Sequence, residues 1–310
     1  MSTAAPEKIK AARMPFGRWL RLVGWRHLVA IIFVMWALFP AFYVLSLALS
    51  GGSTLTAACP PERTGLAAVS CIFPTTFDTS NFEAILNSPD RPFGVWFMNT
   101  LLIAIVNSFG ALFMGAAAAF AFSRLRFSGR RPGLLALMLI QMFPGVLAIT
   151  AVYALMTEIK NVFPAFGLGT MWGLTLVYLG GALGVNTFLM KGFFDTIPVD
   201  IDESARIDGA GHVRIFFGLI MRLAAPILVV VFFVSFQSTF NELPIASVVM
   251  PDQENTTLAV GLNGLVSNPL IQEWGMFAAG GVLMAIPLFI LFLFTQRSLV
   301  TGLTAGAVKG

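Results

Sequence analysis

The chain has 310 residues, of which 57% are hydrophobic and only 11% charged, with a formal net charge of +4 and a mean hydropathy of +0.84. A soluble domain carries roughly a quarter charged and about half apolar residues, so a soluble globular protein is excluded. The excess of positive charge is distributed as a membrane-topology signal, and nucleic-acid binding is not read from it.

In chain order, residues 1–26 form a basic tail carrying Lys8, Lys10, Arg13, Arg18, Arg21 and Arg26. Six apolar blocks follow, at 27–49, 95–123, 134–157, 171–190, 226–249 and 274–295. Each has the length of about 20 residues that a helix needs to cross the hydrocarbon core of a bilayer. None alternates strictly between apolar and polar, so the blocks read as helices and not as barrel strands. The fold class is an all-α integral membrane protein with six transmembrane helices in a single domain at 27–296, followed by a tail at 297–310. The first block is long enough to span and no small-residue cleavage site is clearly marked after it, so it is read as a helix of the mature chain. With the N terminus in the cytoplasm, sixteen of the nineteen Lys and Arg fall on the inner side and only Arg63, Arg91 and Lys160 outside. Both termini are therefore expected inside.

The far-side loop at 51–93 holds the two cysteines, Cys59 and Cys71. In an oxidising compartment they are candidates for a bridge that closes a small ring, worth on the order of 3 kcal/mol in the chain-entropy model. Two free thiols is the other reading. The histidines, His27 and His212, are expected on the opposite side, so no metal site is predicted.

Within the blocks, Pro40, Pro144, Pro244 and Pro287 are tolerated where neighbouring helices re-satisfy the backbone. Polar side chains at membrane depth carry more information. Asn99, Asn107, Gln141, Asn186, Gln237 and Asn241 are candidates for lining a wet path taken by a hydroxyl-rich solute. Each is equally read as an interhelical hydrogen bond. Glu242 is placed near the outer end of the fifth block, where an acid costs little.

The inner loop at 191–225 is mixed in character, and five of the fifteen acids, Asp195, Asp200, Asp202, Glu203 and Asp208, fall within it. Thr196 and Pro198 mark a helix start, with the acids of the first turns complementing the helix dipole. Asp202 and Arg206 are spaced as a surface i,i+4 pair. Ile197, Ile201 and Ala205 form an apolar stripe. Asp208-Gly209 is a stop signal, and His212–Met221 is a second amphipathic stretch. Two short helices joined by a tight turn are expected, lying on the membrane surface. No nucleophile elbow, phosphate-binding loop or zinc-protease motif is present, so the chain is not read as an enzyme and its energy is expected from another chain or an ion gradient.

The stretch ESARIDGAG at 203–211 resembles the E-A-A-x-x-x-G signature loop of the membrane subunits of binding-protein-dependent ATP-binding-cassette importers. QMFPGVLAITAVYAL (141–155), YLGG (178–181), NELPIASVVM (241–250), TTLAVGL (256–262) and QRSLVTGLTAGAVKG (296–310) are similar to the maltose-type branch of that family. The resemblance runs from about residue 95 to the end. Ser204 stands in place of the first alanine of the signature, and Arg222 where the family often has proline.

This resemblance implies the type I importer permease architecture in the inner membrane of a prokaryote. It implies four kinds of partner: a second, unlike permease subunit (MalF-like), a homodimeric cytosolic ATPase (MalK-like), an extracytoplasmic sugar-binding protein, and membrane lipid. ATP and Mg would be bound by the ATPase and no cofactor by this chain. Glu203, Ser204, Ala205, Asp208, Gly209 and Ala210 would form the docking loop, with Glu203 facing a basic group of the ATPase, Ala205 packed in its cleft and Gly209 allowing the turn. The tail at 302–310 would reach the ATPase dimer interface, and the loops at 51–93 and 250–273 would meet the binding protein. The implied cargo is maltose, maltodextrin or a related α-glucoside. The alternatives are trehalose or glycerol phosphate carried by the same architecture, and a gradient-driven secondary transporter. The last is disfavoured because the mid-span polar residues are amides and no halves repeat.

Overall fold

A computed structural model of the chain describes residues 15, 17, 20–59, 71 and 77–305. Lys8, Lys10, Arg13, Arg18, Arg63 and Lys309 lie outside them, as does the tail beyond Ala305. Among the described residues the structure is helical, with no strand. In chain order the helices are α1 (Trp25–Ala48), α2 (Ser80–Asn87), α3 (Phe93–Arg124), α4 (Arg130–Met142), α5 (Ile149–Val162), α6 (Met171–Phe194), α7 (Val199–Ile207), α8 (His212–Leu223), α9 (Ala225–Phe240), α10 (Pro244–Val249), α11 (Leu258–Ser267) and α12 (Trp274–Ala305).

Four of these, α1, α3, α6 and α12, are long and apolar enough to cross a membrane unaided, and α8 with α9 forms a fifth candidate bent by 81°. The block expected as one helix over 134–157 is two. Pro144 pushes the residue before it out of the helical region, and Phe143 is extended at φ −75°, ψ 124°. The chain recovers only at α5. The block at 226–249 is interrupted for a similar reason. α9 ends at Phe240, and Pro244, which lacks an N–H to give to a preceding turn, opens α10 instead. Arg222 continues α8 without a break, and the bend falls two residues later at Ala224.

The bundle is built around α3, whose 32 residues span about 48 Å at 1.5 Å each. Ala104, Ala111, Ala116 and Ala119 are fully buried along it, and small side chains let α6 and α9 approach closely. Phe120 packs against Phe216 in the interior with ring centres 5.2 Å apart, while Phe109 and Phe232, 4.9 Å apart, pair on the outer surface of the bundle, where Phe109 is exposed. At one end of α3, Phe93 and Trp96 pack with Leu47, Ala58, Ile85, Leu258 and Ala278. The Cys59 and Cys71 sulfurs, bonded to each other, belong to this end, where Cys71 is buried beside the Ala58 turn. Gly275 is required here, because a Cβ on it would lie 2.1 Å from the Gly52 carbonyl oxygen. At the other end of α3, Ala116, Ala119 and Phe120 pack with Met190, Phe194, Ile215 and Ile220. The 191–225 loop therefore sits at the opposite end of the molecule from the disulfide.

Candidate functional site

Two constellations stand out, an elbow formed by α7 and α8 and a cleft between α3, α6 and α9 that carries several polar side chains in a mostly apolar lining. The elbow begins at Pro198, whose φ of −55° suits helix entry, and Asp200 and Asp202 occupy the first turn of α7. The Ser204 hydroxyl donates to the Asp200 carbonyl at 2.8 Å. α7 stops in a six-residue closure. The Ala210 N–H donates to the Ala205 carbonyl and the Gly209 N–H to the Arg206 carbonyl, both at 2.9 Å. That pattern needs a left-handed residue at the turn, and Gly209 supplies it at φ +80°.

α7 has two unlike faces. Ile197, Ile201, Ala205 and Ala210 pack down onto the core at the end of α3. Asp200, Glu203, Ser204, Ile207 and Asp208 are exposed, with Ile207 88% accessible and Val213 on α8 at 72%. Ala205 and Ala210 pack partly against the protein's own bundle, and the outward face carries the acids together with Arg206 and Arg214, with Ile207 and Val213 as its apolar part. Asp202 does not pair with Arg206 on the surface. It is 1% accessible, and its carboxylate meets Arg124 Nε at 2.9 Å. The Arg124 guanidinium also donates to the Ile197 carbonyl at 2.7 Å.

A second tie enters through Asp195 at the end of α6. Its carboxylate accepts from Ser123 at 2.6 Å and from Lys191 at 2.5 Å. Partial burial disfavours its charged form, but the Lys191 and Ser123 hydrogen bonds and the Lys191 charge outweigh this and hold the carboxyl below its ordinary value. A carboxyl depressed in the fold stabilises it above its ordinary value, and that contribution is lost as pH falls through the depressed one.

The cleft has a volume of about 370 Å³. Tyr178 and Asn186 lie eight residues apart on one face of α6, and Ser235 and Thr239 four apart on one face of α9. The Asn107 amide of α3 donates to Thr239 Oγ1 at 2.6 Å and the Asn186 amide to Ser235 Oγ at 3.2 Å. Tyr178 donates to the Glu242 carboxylate at 2.6 Å. Glu242 also accepts the N–H groups of Ile245 and Ala246 at 2.8 and 2.9 Å, which caps α10 after the Pro244 break.

Of the six amides singled out in the sequence, the cleft brings together Asn107 and Asn186. Asn99 sits toward the far end of α3, donating to Asn255 Oδ1 at 2.9 Å and the Thr256 carbonyl at 3.1 Å. Gln141 lies over Gly184, whose added Cβ would fall 1.9 Å from its amide nitrogen. Gln237 and Asn241 are exposed on α9 and just past its end, with the Asn241 amide donating to the Gln237 carbonyl at 3.0 Å. Tyr178, Ser235, Thr239 and Arg124 were missed as site residues. Arg124 carried a signal, since a guanidinium ending a 32-residue apolar helix needs an acid if it is buried.

A family profile described as binding-protein-dependent transport system inner membrane component matches residues 111–303. The maltose/maltodextrin transport system permease protein MalG of Salmonella typhimurium is 36% identical over 284 residues, covering 92% of this chain and 95% of that one. The maltodextrin transport system permease protein MdxG of Bacillus subtilis is 42% identical over 215 residues, covering 69% of this chain and 75% of that one. Among solved structures, a bacterial ABC transporter involved in the import of the acidic polysaccharide alginate superposes with a TM-score of 0.68 over 92% of this chain and all of that one. At 23% identity this likeness speaks for the fold alone.

Proposed function

The chain belongs to the family of inner membrane components of binding-protein-dependent transport systems, and from that premise we propose that it is one of two unlike permease subunits of an ATP-driven importer of maltose, maltodextrin or a related α-glucoside. It forms half of the translocation path. It spans the membrane six times, with α4–α5 and the bent α8–α9 pair counting as one span each, and keeps both termini inside. The ATP and Mg belong to a cytosolic ATPase dimer, and an extracytoplasmic sugar-binding protein meets the disulfide end.

The observation that carries this is the two-faced elbow. One side of α7 is fastened to the bundle, while Glu203, Ile207 and Asp208 stand outward. A capped helix with one free face of mixed charged and apolar side chains suits docking on a partner that moves it. Linkage then follows from two global states of the bundle, each favoured by a different nucleotide state of the ATPase. The cleft supports a neutral polyhydroxylated cargo. Its lining is largely apolar, with amides, hydroxyls, a tyrosine ring and one carboxylate set into it and no Lys or Arg, which suits a sugar better than glycerol phosphate.

An Ile207→Cys variant, reconstituted with the ATPase and binding protein, tests the docking. A short bifunctional thiol reagent is expected to join this position to the ATPase and to stop uptake. Modification of the same cysteine by an impermeant reagent applied to the disulfide side of sealed vesicles would place the elbow on the wrong face and end the proposal.

A further inference from the structure

We propose that Arg124 is a positioning residue that passes the stroke of the elbow to α3, with Asp202 as the group it holds. The inference rests on the docking function of the elbow and names the route by which motion leaves it.

The chain connects α7 covalently to α6 on one side and to α8 on the other. Its links to α3 are non-covalent: apolar packing of Ile197, Ile201 and Ala205 on the end of that helix, and a charged contact made by Arg124, the last residue of α3. The guanidinium has two grips on the elbow. It donates to the Ile197 carbonyl just ahead of α7 at 2.7 Å, and its Nε stands 2.9 Å from the Asp202 carboxylate in the first turn. The two side chains are 4% and 2% accessible. Removing one partner of a buried ion pair leaves the other charge stranded, so the two groups move together. Such pairs add little net stability relative to apolar packing and are better suited to fixing a register between elements.

The pair also has a second arrangement open to it. Asp202 Oδ1 has no hydrogen-bond partner, and Nε faces Oδ2 without hydrogen-bond alignment. A small rotation of α7 would bring guanidinium and carboxylate into the two-bond fork that Arg and Asp favour. A contact with two discrete geometries is what a coupling element requires.

α3 is the element through which this motion reaches everything else. It carries Asn107 of the cleft, and at its far end the Trp96 indole donates to the Gln253 carbonyl at 2.7 Å. The 250–273 loop expected to face the binding protein is thus joined to the elbow through one continuous helix.

The test uses the full complex in proteoliposomes and reads the solute taken up per ATP hydrolysed. Arg124→Ala is expected to keep the ATPase bound and hydrolysing while uptake per ATP falls by about tenfold, within the range typical of coupling between sites. Arg124→Lys, which keeps the charge without the planar fork, should fall in between. The exchanged pair Arg124→Asp with Asp202→Arg should recover most of the ratio. An unchanged ratio in Arg124→Ala overturns the inference. So does an exchanged pair that assembles and stays uncoupled, or the failure of both variants to assemble, which would assign the pair to folding alone. Failure of the docking function itself looks different: the wild-type complex would then take up solute without ATP.

Discussion

Gly209→Val is expected to stop uptake while leaving the chain in the membrane at normal abundance. Gly209 sits at φ +80°, a region that costs an ordinary L-residue roughly 1–2 kcal/mol and a β-branched one more. The turn cannot relax privately. The N–H groups of Gly209 and Ala210 close α7 on the carbonyls of Arg206 and Ala205, and Ala210 is packed on the core. Straightening the turn therefore gives up two hydrogen bonds of about 1 kcal/mol each and swings Glu203 and Ile207 away from α8. A mispositioning worth about 1.4 kcal/mol is a factor of ten in a docking equilibrium, so uptake is predicted to fall at least about tenfold. Asparagine tolerates the left-handed region, and Gly209→Asn should retain far more activity than the valine variant. Transport assays in vesicles, normalised to the amount of chain inserted, separate these outcomes. Equal activity in both variants would remove the turn from the mechanism.

Glu242→Ala is expected to damage stability and transport together. One carboxylate accepts from the Tyr178 hydroxyl and from the Ile245 and Ala246 N–H groups. Alanine leaves all three donors without their acceptor, at on the order of 1–3 kcal/mol for each one that stays buried. It also releases α10 from α6, at the break that Pro244 creates. The thermal midpoint of the purified protein should drop clearly, and uptake should fall with it because the cleft loses its carboxylate and its tyrosine loses its orientation. Glu242→Gln keeps one carbonyl acceptor and should lie between wild type and alanine. A Glu242→Ala protein with an unaltered midpoint would show that the cap contributes nothing.

The features legible in the sequence were those fixed by neighbours along the chain. Gly209 and its turn follow from Asp208-Gly209 closing an amphipathic stretch. The stripe Ile197, Ile201 and Ala205 follows from helical spacing. The apolar blocks follow from length. Phe143-Pro144 also held a local signal for the break in the third block, and length alone concealed it. What stayed hidden were contacts between residues distant in sequence. Asp202 reads as a partner of Arg206, four residues on, because spacing within one helix is visible. Its actual partner, Arg124, lies at the end of another helix. Spacing likewise reveals that Ala205 belongs to a stripe without saying whether the stripe faces a partner or the protein's own core. Asn107 and Asn186 were recognisable as costly amides. The hydroxyls they meet, Thr239 and Ser235, look like ordinary membrane-helix residues until α9 is packed against α3 and α6.

The claim on which the rest depends is that nucleotide-driven motion enters this chain at the elbow and opens a path for sugar. Accumulation of labelled maltodextrin in proteoliposomes holding the complete complex and the binding protein measures it most directly. ATP supplied on the elbow side, with every ion gradient collapsed by ionophores, should drive accumulation, and an imposed proton or sodium gradient without ATP should not. Accumulation driven by the gradient alone would contradict the account.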